Sequence, residues 1–252
     1  MTATIRRFYK SVTVAVANGG FSVVLDGRPL RTPAGAALVL PSERLARAVA
    51  DEWQSQGDIV QVHAMPLTQL ANTMIDRVHR TRSAIVAEIT RYAASDLLCY
   101  WATGPRDLVE RQRATWQPLL EWASATFGAR LAVTTGVIPI AQPEDAVAAL
   151  GAVVAGLDDA ILVVLATVTA ATGSLILALA LVSGRIDADG ACRAAHLDEA
   201  WQNEGWGEDA EAVKRRTAIS AEIHAAVRFM TLARSLSLEE QHRNEGGGTV
   251  LP

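Results

Sequence analysis

At 252 residues the chain is long enough to bury a sizeable core in one large domain or two. Its net charge of −4 argues against a nucleic-acid binder, which needs a basic face. Cys99 and Cys192 have neither C-x-x-C spacing nor a third thiol for a metal or disulfide framework, so they read as buried thiols in a reducing compartment.

The stretch from Met1 to Val14 enters a strand-like pattern almost at once, with neither a secretory apolar core nor a long Arg/Ser-rich transit segment. The expectation is a bacterial cytoplasmic protein, or a processed organellar form in the mitochondrial matrix. From Lys10 to Leu40 the period is two. Val12, Val14 and Val16 alternate with other residues, Asn18-Gly19-Gly20 makes a turn, and Phe21, Val23 and Leu25 alternate again. Turns at Asp26-Gly27 and Ala34-Gly35 follow. So small an antiparallel module cannot bury both faces by itself and must pack on something else.

Ser42 is placed to cap a helix that carries Leu45, Ala46, Val49, Ala50 and Trp53 at helical spacing and ends at Gly57. Ile59 to Val62 can return one more strand. Beyond that the pattern is helical at about 66–80, 82–101, 105–127, 143–156, 159–183, 187–204 and 208–236, with an extended connection at about 133–140. The predicted class is α+β: a small antiparallel β-rich N-terminal domain with one helix (1–64), then a larger all-helical domain (65–240) and a disordered tail (241–252).

Ala160 to Val182 is 23 residues without a charge, long enough for a membrane span. Three threonines, a central Gly173-Ser174 and the lack of Trp or Tyr at either end favour a buried central helix, broken near Thr172 to Ser174. No stable membrane insertion is expected; a membrane-associated protein is the alternative.

The catalytic motifs with the clearest mechanical warrant are absent: no P-loop, H-E-x-x-H or G-x-S-x-G. Gly205 to Ala210 matches G-x-G-x-x-A but follows a helix and sets two carboxylates where a pyrophosphate needs backbone amides. No two of the five histidines stand at i, i+4, and neither metal nor cofactor is expected. His196 with Asp198 and Glu199 is the nearest approach to an acid–base cluster. Adjacent helical residues diverge by about 100°, which makes a small enzyme there the weaker alternative.

His196 to Ala212 sets two tryptophans among six carboxylates. On a helix Asp198, Trp201 and Glu204 or Gly205 share one side, so an aromatic anchor beside acids can select a basic partner. The competing reading makes Trp201 and Trp206 core anchors and the acids a solvated face. Trp206 is expected at a helix–helix junction. Trp116 and Trp122, with Leu119 between them, form the stripe of a buried helix face. Trp53 is expected to lock head to body, so that Trp53→Arg destabilises the fold by burying a charge. Asn72 is expected to satisfy backbone groups or cap a turn.

Several segments in order, Arg7-Phe8-Tyr9-Lys10, Leu25-Asp26-Gly27-Arg28, Arg31-Thr32-Pro33, Glu52 to Gln56, Pro66 to Thr73, Leu98-Cys99-Tyr100, Gln112 to Trp122 and Leu197-Asp198-Glu199 to Gly207, resemble the α-subunit-specific assembly chaperones of the F1 sector of ATP synthase. The resemblance runs from about residue 6 to about 235. It implies an ATP-independent holdase, expected monomeric, that binds the unassembled F1-ATPase α subunit, gives it up to the β subunit and performs no catalysis. It also implies an important acid in the Leu197-Asp198-Glu199 stretch, where Glu199 lines up best. The expected partner-binding residues are therefore Asp198, Glu199, Trp201 and Glu204, and Glu199→Lys is expected to weaken binding without lowering stability. The chain departs from the family pattern at Trp101, where a basic residue is expected, and at Ala200, where relatives tend to carry a third acid.

Overall fold

The computed structural model describes residues 5–136, 138–207 and 209–234; the expected tail at 241–252 lies outside them. The period-two segments form a hairpin of β1 (Val12–Ala17) and β2 (Gly20–Leu25), in register from Val12 opposite Leu25 to Ala17 opposite Gly20. The other edge of β2 takes β3 (Arg28–Pro29) and β4 (Val39–Leu40), both antiparallel. Only glycine fits at position 20, because a Cβ there would stand 2.2 Å from the Leu40 carbonyl oxygen. Asp26 holds its turn at φ +46 by accepting from the Lys10 and Ser11 amides and the Ser11 hydroxyl. Ile59 makes only an isolated bridge to Arg6, where a strand was expected.

The sheet buries Val23 and Leu25 against α1 (Glu43–Gln54), which Ser42 caps by accepting from the Leu45 amide at 3.1 Å. The body follows: α2 (Pro66–Thr73), running on through a π-helical stretch Met74–Val78; α3 (Arg82–Arg91); and α4 (Arg106–Phe127). Next come α5 (Glu144–Ala155), α6 (Asp159–Thr172), α7 (Leu175–Val182), α8 (Ala188–Ala195), α9 (Leu197–Trp206) and α10 (Ala210–Ala233). The architecture is α+β, as the pattern predicts. Head and body share one cluster of buried side chains, from Tyr9 to Ala233.

Three breaks subdivide the expected helices. The first leaves α3 ending at Arg91, where the pattern predicted a helix to 101. Asp96 takes an extended ψ of 132° and the chain passes through short 3-10 turns into β5 (Tyr100–Trp101), which pairs in parallel with β6 (Thr134–Thr135) in the expected extended connection. The second is in the uncharged run, which forms two helices parted where the break was expected, near Thr172 to Ser174. Gly173 at φ +70 ends α6, and Ser174 caps α7 through the Leu177 amide at 3.0 Å. Every side chain from Leu175 to Val182 is buried, each Leu or Ile contributing about 1.5–3 kcal/mol. Among the described residues no helix is long and apolar enough to cross a membrane. The third break is His196, at φ −107 and ψ 21, which separates α8 from α9.

Candidate functional site

Short and without a buried residue, α9 depends on side-chain contacts to α4 and α10 for its position. On its α4 side, Asp198 Oδ1 accepts from Gln112 Nε2 at 2.8 Å. Gln112 is 0% exposed, and its Oε1 accepts from the Ala102 amide at 2.8 Å, so the contact continues to the segment after β5. Trp201 Nε1 donates to Asp107 Oδ2 at 2.7 Å and thereby holds that carboxyl below its ordinary range. Glu204 takes Arg111 Nη1 at 2.7 Å, a hydrogen-bonded pair that lowers the Glu204 pKa and raises that of Arg111. The predicted face of Asp198, Trp201 and Glu204 therefore exists, and it is turned onto α4.

Glu199 points elsewhere. Its Oε1 lies 3.0 Å from Arg215 Nη2 and its Oε2 3.9 Å from Arg216 Nη1, both on α10. The divergence of adjacent helical residues thus sends Asp198 and Glu199 to different helices. His196 Nδ1 lies 3.0 Å from the Cys192 carbonyl oxygen, and the three groups do not converge as an acid–base site requires.

Trp206 stands at the junction of α9 and α10, as expected, but not as a core anchor. Gly207 at φ +84 turns the chain toward α10 directly after it, and the indole is left 84% exposed. Trp116 is 1% exposed and donates to the Ala194 carbonyl at 2.9 Å, joining α4 to α8. Trp122 is half-buried, edge-on to Phe127 at 5.0 Å. Trp53 packs its ring on Tyr9 at 5.6 Å, while its carbonyl accepts from the Tyr9 hydroxyl at 2.7 Å. Asn72 does not do what was expected of it. Its Oδ1 is buried and accepts no hydrogen bond among the described residues.

Three acids that sequence reasoning left unassigned fasten the molecule. Glu52 caps α2, accepting from the Leu67 and Thr68 amides at 2.8 Å each and from the Thr68 hydroxyl at 2.7 Å. Asp76 accepts from the Thr32 hydroxyl at 2.6 Å and the Ala34 amide at 3.0 Å, clamping the head loop to the body. Fully buried Asp96 takes the Ser174 hydroxyl at 2.7 Å and the Ile176 and Leu98 amides at 3.0 and 3.1 Å, and its burial raises the pKa to about 6. Glu52 lies inside a quoted motif and Asp96 two residues before one, but no local pattern announces their partners.

Between α4, α8, α9 and α10 runs an open groove of about 1250 Å³. Pro118, Leu119, Ile186 and Leu197 supply much of its apolar lining, and Ala200, at the position of the missing acid, lines it too. Among the described residues no His, Cys, Asp and Glu side chains gather in a group that could hold a metal. Burial raises the pKa of the Cys192 thiol in the groove, and pushes that of Cys99 up to about 12.

The model of the ATP12 chaperone protein family matches residues 6–124. A mitochondrial protein of Schizosaccharomyces pombe named atp12 is 24% identical over 246 residues, spanning 90% of this chain and 84% of its own. The crystal structure of Atp12 from Paracoccus denitrificans is 42% identical and superposes with a TM-score of 0.86, over 91% of this chain and 98% of that one. A protein from Agrobacterium tumefaciens is 43% identical with the same TM-score of 0.86, over 92% and 87% of the two chains.

Proposed function

Because the chain belongs to the ATP12 chaperone family, we propose that it is an ATP-independent assembly chaperone that holds the unassembled α subunit of F1-ATPase until the β subunit displaces it. The observation that carries this reading is the 42% identity that extends over 98% of the Paracoccus denitrificans Atp12 structure. An unassembled α subunit exposes the apolar surface meant for its neighbour, and such a patch drives aggregation unless it is covered. A complex burying about 1,200–2,000 Å² suffices to hold it and still yields to a larger native interface.

On this reading α9 is the element that meets the client. Asp198, Glu199, Trp201 and Glu204 serve binding by holding α9 against α4 and α10, and the exposed Trp206 at its end is offered to the client. The chaperone acts as a monomer in the compartment where F1 is assembled.

Co-expression with the F1 α subunit of the same organism tests the proposal. The α subunit is expected to stay soluble and to co-elute with this protein on gel filtration, with no nucleotide added. An α subunit that aggregates beside a soluble, unbound chaperone refutes it.

A further inference from the structure

We infer that the groove between α4, α8, α9 and α10 is the docking site for a client segment that is apolar on one side and carries Asp or Glu on the other. This deepens the proposed function and rests on it. The whole chain is acidic, at −4, yet the groove is the reverse. Its lining includes Arg111, Arg185, Arg193 and Arg216 with the imidazoles of His196 and His224, and no carboxylate.

The acids that balance these cations come from outside the lining: Glu204 for Arg111, Glu199 for Arg216, and Asp187 for Arg193 at the long distance of 4.0 Å. Arg185 is exposed, with no ion pair among the described residues. An arriving carboxylate thus meets one open guanidinium and one weakly held one above an apolar floor, while a basic segment finds no carboxylate in the lining. This charge preference is opposite to that of a surface whose acids select a basic partner: Glu199 and Glu204 are paired with the chain's own arginines and Asp198 with Gln112, and cations line the groove.

The size fits. A helix 10–12 Å across rises 1.5 Å per residue and so fills roughly 120–170 Å³ per residue. The groove's volume of about 1250 Å³ therefore holds about 7–10 residues, or two to three turns.

The test uses purified full-length protein and the F1 α subunit. The double variant Arg185→Glu/Arg193→Glu reverses two exposed groove charges. Arg28→Glu/Arg44→Glu makes the same charge change at exposed positions outside the groove. The groove variant is expected to bind the α subunit about 10-fold or more weakly, and the control variant like wild type. A photo-cross-linking side chain at Thr217 should attach to an acid-bearing apolar segment of the α subunit.

If wild type and the groove variant hold the α subunit equally well, the groove is not the site and the client reading stands. The inference also fails if the cross-link maps to a basic segment, to a second copy of this chain, or to residues 235–252 of its own. If wild type itself does not hold the α subunit, the client reading falls and takes the groove's occupant with it.

Discussion

Replacing Glu199 by Lys separates a residue that touches the client from one that positions α9. In the native protein its carboxylate lies 3.0 Å from Arg215 and 3.9 Å from Arg216, with the Glu199 side chain 41% exposed. The bare Coulomb energy of a unit pair at such a distance is about 1.4 kcal/mol in water and roughly 5 kcal/mol at an effective dielectric of 20. Desolvation, side-chain entropy and solvent screening reduce a pair this exposed to about 0.5–1 kcal/mol. Lysine removes that attraction and sets a third cation beside two, doubling the effect to about 1–2 kcal/mol. For a chain of this size the loss lowers Tm by about 2–4 °C. Thermal and urea unfolding of wild type, Glu199→Gln and Glu199→Lys should therefore give graded midpoints, with Gln between the other two. The charge swap Glu199→Lys/Arg215→Glu should recover part of the loss, together with α-subunit binding. Midpoints identical to wild type across the series would refute the positioning argument and restore the simpler view that Glu199 binds the client directly.

Glu52→Gln keeps the shape of the α2 cap but turns an amide NH2 toward backbone donors; a loss of about 2–3 kcal/mol is expected, read as a lower urea midpoint at unchanged slope. A loss under about 0.5 kcal/mol would show that the head–body junction does not depend on it. Asp96, raised from 3.8 to about 6, is most favourable to the fold when protonated. Its contribution is complete below pH 3.8, is lost as pH rises through about 6, and is flat above; the total is about 3 kcal/mol. Between pH 4.5 and 7.5 wild type should lose about 2 kcal/mol relative to Asp96→Asn, and a pH-independent difference between the two would contradict the assignment. Trp206→Ala should leave stability within about 0.5 kcal/mol of wild type and weaken α-subunit binding; a drop in Tm with binding intact would place the ring in the fold after all.

The head was legible because its signals are local. Alternating Val12, Val14 and Val16, an Asn18-Gly19 turn and alternating Phe21, Val23 and Leu25 admit one register, and Val14 does pair with Val23. The body's helices were legible as helical stretches, but two of the three breaks within them were not. The uncharged run at 160–182 is buried almost all round and presents no stripe to interrupt, so its break was legible only from the central Gly173-Ser174. At Asp96 the break is made by partners about 80 residues away, Ser174 and Ile176. The same limit governs the site. Helical spacing predicts that Asp198, Trp201 and Glu204 share a face, and they do. What that face meets, Gln112, Asp107 and Arg111, belongs to a helix about 90 residues earlier. The groove draws its lining from four helices, none of which carries a pattern that announces it.

The internal pairing of α9 has a consequence for release. A holdase must capture its client quickly yet lose it to the native partner, so its affinity has an upper limit that an enzyme inhibitor does not share. Rim charges raise the rate of encounter, whereas desolvated, fully paired charges slow dissociation. In the groove three of the four arginines already have carboxylate neighbours, Glu204, Glu199 and Asp187, at 2.7, 3.9 and 4.0 Å. A client acid that docks on one of those three replaces an existing partner and gains little from the exchange, so the net gain rests on the open Arg185, while the field of the cation-lined groove still draws the client in. Asp187→Asn removes the competitor at Arg193 while keeping the cap of α8 on the Gly190 amide and leaving the contacts of α9 untouched. The client should then be held more tightly and exchanged more slowly for the β subunit.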